Sequence, residues 1–195
     1  VSWARRCVIR DRDTFLFSDT IGSNISFGAG DRSNRLEYNG QYDGQRRRRG
    51  YDEQYVRRMA AIAGADGFIS SMPDGYDTVV GERGVGLSGG QKQRLSLARA
   101  LADNPSILIM DDTTSAVDME TEAEIQRHLR DLDEKKTIVT IAHRISSVKD
   151  SDLILVLEHG RIVERGTHDE LVASHGRYWQ IYSKQLGVDA GRSQL

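Results

Sequence analysis

Apolar residues recur with a helical period in two stretches of the chain. The first stripe comprises Val56, Met59, Ala60 and Ala63. The second stripe comprises Leu95, Ala98, Leu101 and Ala102. Positions three and four apart lie on one face of a helix, so both stripes predict amphipathic helices. Gly64 stands where the first of these helices would end.

A short continuous apolar run follows at residues 107–110, then a helical stretch at about 120–132 and a second predicted strand at residues 137–142. A run of this length without alternation is typical of a strand that is buried on both faces of a parallel sheet. Strands that alternate with helices indicate an α/β fold. We therefore predict a mainly parallel sheet flanked by helices.

The last part of the chain predicts a hairpin followed by two helices. Residues 153–157 and 161–164 read as its strands, with the turn at His159 and Gly160. Thr167 and Glu170 have the spacing of a capping box at the start of a short helix. The last helix carries Tyr178, Trp179 and Ile181.

Two stretches predict no regular element. Residues 1–13 are rich in arginine and show no clean period. Residues 28–51 are polar, rich in Gly, Arg, Asn and Asp, and include the arginine run 46–49. The second stretch predicts a loop or an insertion.

The overall charge of the chain does not point to a nucleic-acid or membrane-surface partner. The 195 residues include 27 basic and 29 acidic side chains, for a net charge of -2. The run 46–49 is better explained as a solvated loop than as a nucleic-acid patch.

Cys7 is the only cysteine, which rules out an internal disulfide and fits a reducing, cytosolic setting. The longest apolar runs are far shorter than the ~20 residues that a membrane-spanning helix needs.

Residues 87–91 (LSGGQ) place small residues at the start of the second predicted helix. Ser88 can cap the helix, and Gln91 can bond back to it. Gly89 and Gly90 carry no side chain, so a ligand can approach their backbone N–H groups. A helix start with free donors and a positive dipole suits an anion such as phosphate. Taken alone, the segment favours an ordinary capped helix after a glycine-rich turn.

Carboxylates and a histidine follow the two predicted sheet strands. Asp111 and Asp112 come directly after the first strand, and His143 follows the second. Ligands of open α/β sheets collect at the carboxyl ends of the strands. Asp111 can hold Mg²⁺ through water, and Asp112 can polarise an attacking water. His143 can hydrogen-bond a γ-phosphate or that water. For each residue taken singly, a solvated acid or a structural histidine is the alternative.

The order and spacing of these segments resemble those of the ABC ATPase family. Residues 87–91 resemble its signature, residues 107–111 its Walker B strand, and residues 115–118 (SAVD) its D-loop. His143 resembles the switch histidine. Two further segments resemble the X-loop of exporter-type members and the stretch after the Q-loop; they are residues 78–84 (TVVGERG) and 13–17 (DTFLF). The resemblance covers residue 13 to about residue 186.

This resemblance implies a fold, a set of ligands and a division of the chain. The fold is a partial ABC ATPase domain of the P-loop NTPase type, with an α-helical signature subdomain. Its expected regions are the Q-loop and signature at 13–105, Walker B to the switch histidine at 106–186, and a tail at 187–195.

The resemblance also assigns roles to individual residues. ATP and Mg²⁺ are the implied ligands, with Asp111 at the metal and with Asp112 and His143 catalytic. The implied nucleotide-binding residues are Leu87, Ser88, Gly89, Gly90, Gln91 and Asp118. In the family, two domains pair head to tail, and the signature of one closes over ATP held by the other. The implied partners are a second nucleotide-binding domain, identical or different, and transmembrane domains, which places the chain on the cytoplasmic side of a membrane.

Three departures from the family pattern change these expectations. The 195 residues contain no GxxxxGK sequence followed by Ser or Thr, so we expect a part of the domain without its main phosphate cradle. Arg12 occupies the position of the Q-loop glutamine. Asp112 occupies the position of the catalytic glutamate, and its shorter side chain would hold the carboxylate about 1 Å further back, a displacement that can cost ~10²-fold in rate.

Three functions therefore stay open. The first is the ATPase domain of an exporter. The second is a degenerate half that binds ATP, completes a partner's site and hydrolyses slowly, which Asp112 favours. The third is a chromosome-maintenance or translation-factor ATPase, which shares the signature; the GERG segment and the absence of long heptads argue against it.

Overall fold

The computed structural model describes residues 6–10, 15–29, 51–81, 84, 86–114, 116–132 and 136–187. Some positions singled out in the sequence lie outside this part of the chain; they are Arg12, residues 13–14, most of the polar stretch 28–51 with its arginine run, Glu82, Arg83, Ser115 and most of the tail. The chain divides into two compact units, Val1–Ile141 and Ala142–Leu195.

Within the described residues, the first unit is built on a parallel sheet of three strands. They are β1 (Arg6–Arg10), β2 (Ile107–Asp111) and β3 (Thr137–Ile141), in the order β1-β2-β3. In register, Arg6 pairs with Ile107, and Ile107 pairs with Thr137. The predicted parallel sheet is confirmed, and the carboxyl ends of β2 and β3 meet at the same edge.

Strand β1 corrects the expectation that residues 1–13 form no regular element. Arg6–Arg10 (RCVIR) has no clean hydrophobic period, but it pairs with β2 along its whole length. The backbone groups of an extended segment can join a parallel ladder whatever the side-chain pattern is. Pairing with a neighbouring strand therefore decides this element.

Strand β2 is less enclosed than its sequence predicts. Leu108 and Met110 are buried, whereas Ile107 and Ile109 are only half-buried. An unbroken apolar run predicts burial on both faces, but in the described part of the chain only one face of β2 is fully covered.

Five α-helices accompany this sheet in the residues that the structure describes. They are α1 (Ile21–Ser26), α2 (Glu53–Ile62), α3 (Asp66–Ser70), α4 (Gly89–Ala102) and α5 (Met119–Arg130). Both predicted apolar stripes are buried. The first lies on α2 and its C-cap residue Ala63, and the second lies on α4. Gly64 follows α2 with φ 65°, a left-handed conformation that favours glycine at a helix end.

The second unit is a hairpin packed with two helices. Its strands are β4 (Ile154–Glu158) and β5 (Arg161–Gly166), and its helices are α6 (His168–Ala173) and α7 (Arg177–Leu186). The hairpin turns at His159 and Gly160, and Thr167 and Glu170 form the predicted capping box. The core comprises Ile145, Ile154, Val156, Leu171 and Tyr178.

Glu164 ties the hairpin to the start of α7. Its carboxylate oxygens accept hydrogen bonds from the N–H groups of Arg177, at 2.5 Å, and Tyr178, at 2.8 Å. A carboxylate at a helix N-terminus satisfies free donors and complements the helix dipole. None of the helices in the described residues is long and apolar enough to cross a bilayer.

Candidate functional site

Helix α4 begins at the LSGGQ segment with a complete capping box. Ser88 N–H donates to Gln91 Oε1 over 2.9 Å, and Gln91 N–H donates to Ser88 Oγ over 3.3 Å. Ser88 and Gly89 are exposed, Gly90 is half-buried, and Leu87 packs partly against the core. The N–H groups of Gly89 and Gly90 belong to the first turn, which has no intrahelical acceptors. The start of α4 therefore presents polar backbone groups to solvent.

Gly90 also has a packing role that the sequence did not reveal. A Cβ at this position would lie 2.7 Å from the carbonyl oxygen of Ala116. A Cβ at Gly89 would lie 3.5 Å from Ala116 Cβ, an ordinary contact. Only glycine at position 90 lets the loop that follows β2 approach the start of α4 this closely.

Gln93 and Arg94 complete a junction between α4 and its neighbours. Gln93 is buried, and its Oε1 accepts a hydrogen bond from Ala116 N–H over 3.1 Å. Arg94 donates to the carbonyl of Gly64 over 2.7 Å and lies over the ring of Phe68. Partial burial lowers the pKa of Arg94, and the negative charge of Asp118 opposes that shift.

Neither Gln93 nor Arg94 was among the residues predicted from the sequence. Gln93 is four residues before Leu97 and therefore occupies the buried face of α4. A polar residue on an apolar stripe signals a specific buried hydrogen bond, because an unpaired polar group there is unfavourable. Thr114 and Glu122 form another such pair, joined over 2.7 Å, with Glu122 buried.

Asp118 is the N-cap of α5. Its Oδ1 accepts from Thr121 N–H and its Oδ2 from Thr121 Oγ1, each over 2.9 Å. The bond from the Thr121 backbone, followed by that from the Thr121 hydroxyl, lowers the pKa of Asp118. Asp118 therefore stays ionised at neutral pH, with its carboxylate committed to the helix start.

Asp111 and Asp112 lie at the carboxyl end of β2. Asp111 is the last residue of the strand, and both side chains are half-buried. Asp112 has φ 52°, so the chain turns sharply away from the strand at this residue. Its N–H still donates to the carbonyl of Ile141 over 2.9 Å, which anchors the turn to the end of β3.

His143 belongs to the second unit, two residues beyond the end of β3. Its side chain is exposed, and its carbonyl accepts a hydrogen bond from Gln185 Nε2 over 2.7 Å. Gln185 Oε1 also accepts from Ile145 N–H over 2.9 Å. One side chain of α7 therefore holds the backbone on both sides of Arg144.

The donor set at the end of β2 fits magnesium that is bound together with a phosphate. The described residues contain no cluster of three or more His, Cys, Asp or Glu side chains that could hold a metal ion alone. Mg²⁺ is usually held by one or two carboxylates, several waters and the phosphates of a substrate. Asp111, the last residue of β2, is a carboxylate of the kind that such a partial site uses.

The segment that resembles the X-loop pairs with the chain at the start of α1. Val79 and Thr20 form an antiparallel bridge, with Ile21 N–H bonded to the Thr78 carbonyl and Val80 N–H to the Asp19 carbonyl. Val79 itself is 61% exposed. The segment that resembles the X-loop is therefore held against the chain at the start of α1.

The comparisons with known proteins agree with this architecture. The sequence pattern of the ABC transporter family matches residues 12–115, more than half of the chain. The chain belongs to the ABC transporter family. The matched region includes the segments that resemble the signature and the Walker B strand, and the first residue of the segment that resembles the D-loop.

Relatives in the ABC transporter family are much longer than this chain. An uncharacterized ABC transporter ATP-binding protein of Bacillus subtilis, YknU, is 50% identical over 174 residues, which are 89% of this chain and 26% of that protein. The ATP-dependent lipid A-core flippase of Aliivibrio fischeri is 42% identical over 176 residues, covering 90% of this chain and 27% of the flippase. The chain thus spans about a quarter of these relatives.

A solved ABC exporter has the same fold. It is a bacterial Atm1-family ABC exporter with ATP bound, 39% identical, with a TM-score of 0.78. The similarity covers 93% of this chain and 28% of that exporter. The predicted fold, a partial ABC ATPase domain of the exporter type, is therefore confirmed.

Proposed function

We propose that this chain binds and hydrolyses ATP as part of an exporter that moves a substrate across a membrane. The observation that carries the proposal is the junction in the first unit between the start of α4 and residues 116–118. At this junction, a helix start with free backbone donors lies beside the loop that follows Asp111 and Asp112. A helix start is suited to a phosphate, and carboxylates at a strand end are suited to its metal.

The proposed mechanism divides the work between two domains paired head to tail. The first-turn N–H groups of α4, at Gly89 and Gly90, would meet the γ-phosphate of ATP held by a second nucleotide-binding domain. Developing charge on the transferred phosphoryl group is stabilised best by donors that are already oriented. The capping box fixes those donors before nucleotide arrives.

The carboxylates of this chain would serve a nucleotide on its own side of the pair. Asp111 would hold Mg²⁺ through water, and a bound Mg²⁺ neutralises charge on the β- and γ-phosphates. Asp112 would orient the attacking water, and His143 would hydrogen-bond the γ-phosphate or that water. Asp118 would keep the loop in place through its cap on α5.

A second function is a slow half-site, and Asp112 supports it. The aspartate side chain is one methylene shorter than that of glutamate. Its carboxylate therefore reaches less far from a backbone that is anchored to β3. Such a half would bind ATP and complete the partner's site through its own α4. The partners in either case would be a second nucleotide-binding domain and transmembrane domains, with this chain on the cytoplasmic side.

The test uses the full-length subunit that contains this chain, reconstituted in lipid vesicles. Asp111→Asn should lower Mg-ATP hydrolysis by about 10²-fold or more, because the metal contributes several kcal/mol to such reactions. Asp131→Asn, an exposed aspartate at the end of α5, is the control and should keep the parent rate. An unaltered rate for Asp111→Asn would contradict the proposal.

The coding sequence upstream of Val1 should encode a transmembrane domain and a GxxxxGK loop.

A further inference from the structure

A hydrogen bond from a buried side chain joins the start of α4 to the loop after β2. Gln93 is only 3% exposed, and its Oε1 accepts from Ala116 N–H over 3.1 Å. Ala116 is itself exposed, so its N–H would bond to water if Gln93 did not bind it. The loop at Ala116 is thus held by a side chain from another element.

The backbone contact at Gly90 leaves this loop little freedom to move towards the helix. The Ala116 carbonyl already lies 2.7 Å from the place where a Cβ at Gly90 would be. On the other side, Asp118 is fixed by two hydrogen bonds to Thr121. Gln93 supplies the bond that prevents the segment between these contacts from moving away.

We infer that Gln93 is a positioning residue for ATP hydrolysis, which holds the loop at Ala116 against the first turn of α4. The inference rests on the proposed function. Through this bond, the helix start and the loop that follows the carboxylates reach a partner domain as one rigid surface. In this role Gln93 acts through its bond to Ala116 and not by binding nucleotide itself.

The substitution Gln93→Met tests this role, because methionine fills a similar volume but lacks the amide oxygen. Hydrogen exchange on peptides spanning residues 113–118 of the full-length subunit should be faster in this variant. The kcat of ATP hydrolysis should fall about 10-fold, since a misplacement of about 1 Å can reduce a rate by up to ~10²-fold. The KM for ATP should stay near that of the parent, because the bond orients groups and does not bind ATP.

Two further variants separate positioning from a loss of packing. Gln93→Glu keeps an acceptor oxygen for Ala116 N–H, so its exchange should be slower and its kcat higher than those of Gln93→Met. Gln126→Met is the matched control: Gln126 is half-buried in α5, and its Nε2 has no hydrogen-bond partner. This control should change neither the exchange of residues 113–118 nor kcat.

The decisive result is the relation between exchange at Ala116 and kcat across these variants. Loss of protection together with a lower kcat supports the inference, even if only one Gln93 variant folds. A lower kcat with protection retained, or lost protection with the parent kcat, overturns it. If the parent subunit hydrolyses no ATP, the proposed function fails, while the exchange data still show whether Gln93 holds the loop.

Discussion

At the scale of single residues, Asp112 combines a backbone requirement with a chemical role. Its φ of 52° lies in the left-handed region, which aspartate tolerates better than most residues with a side chain. The family resemblance puts glutamate at this position. The local conformation therefore gives aspartate a structural advantage that is separate from its proposed chemistry.

We expect Asp112→Glu to speed hydrolysis at the site that contains β2, by as much as ~10²-fold in single-turnover experiments on the assembled dimer. The longer side chain carries the carboxylate further from a backbone anchored to Ile141. The same change should lower the free energy of unfolding by about 1 kcal/mol, because glutamate is less favourable at positive φ.

Asp112→Ala provides the reference for this experiment. If the parent is already as fast as the glutamate variant and the alanine variant is far slower, the slow-site hypothesis is wrong. The protein would then be an ordinary catalytic half. The unfolding measurement is independent of that outcome.

Ser88→Arg should strongly reduce ATPase activity and transport by the full-length subunit. The bulky cation would occupy the space at the exposed start of α4 where the γ-phosphate is expected to meet the first-turn donors. Loss of the cap should lower the free energy of unfolding by only about 1 kcal/mol, so the protein should still fold. Ser106→Arg, also at an exposed serine, should keep the parent activity. Unchanged turnover of Ser88→Arg at saturating ATP would show that this motif does not close on nucleotide.

At the scale of elements, α4 is connected to neighbouring segments at both ends. Gln93 joins its first turns to Ala116, and Arg99 joins its last turn to the segment after β1. The guanidinium of Arg99 donates to the Phe15 carbonyl and to Asn24 Oδ1, over 2.8 and 2.7 Å. Asn24 is 1% exposed, and its amide also bonds the backbone of Phe17 in both directions.

The Asn24 side chain should therefore be important for stability. Asn24→Leu should lower the free energy of unfolding by about 3 kcal/mol, because it removes the acceptor of the Phe17 N–H and one of the acceptors of the Arg99 guanidinium. Asn24→Asp should have a smaller effect, since its oxygens still accept from Phe17 N–H and Arg99. Denaturant unfolding of the complete nucleotide-binding domain measures both values. Equal losses for the two variants would contradict an acceptor role for Asn24.

At the scale of the whole molecule, each unit has apolar side chains in contact with solvent. In the first unit, Val139 and Ile141 on β3 are 44% and 51% exposed. In the second unit, the hairpin exposes Leu155, Leu157 and Ile162. Exposed apolar residues on sheet strands favour association with other chains.

The isolated chain of 195 residues should therefore be poorly stable or prone to aggregate. Thermal unfolding followed by circular dichroism, with light scattering at the same temperatures, tests this expectation. We expect a broad transition accompanied by scattering. A sharp, cooperative transition of a monomer would show that the exposed surface does not destabilise the chain.

The isolated chain should also bind Mg-ATP weakly or not at all. Its 195 residues contain no glycine-rich phosphate loop with a lysine, and α4 offers only one side of the proposed site. Isothermal titration of the monomer measures this affinity. Dissociation constants in the low micromolar range would contradict it, while tight binding by the full-length subunit is the expected contrast.

Local patterns in the sequence were sufficient to predict most elements and the family. The buried stripes on α2 and α4, the capping boxes at Ser88 and Thr167, and the hairpin depend on residues that are close in the chain. Periodicity, capping and turn chemistry act over a few residues, so they can be read without knowing the fold. The motifs that indicated the family are also short segments that can be recognised in the sequence without knowing the fold.

Tertiary structure alone decided the features that join distant segments. β1 exists because β2 pairs with it, although residues 6–10 show no period. Gly90 is required by the close approach of the Ala116 carbonyl, and the buried Gln93 side chain is bonded to the N–H of that same residue. These contacts form only when elements pack together, because a hydrogen-bond partner or a close approach across twenty residues leaves no periodic trace in the sequence.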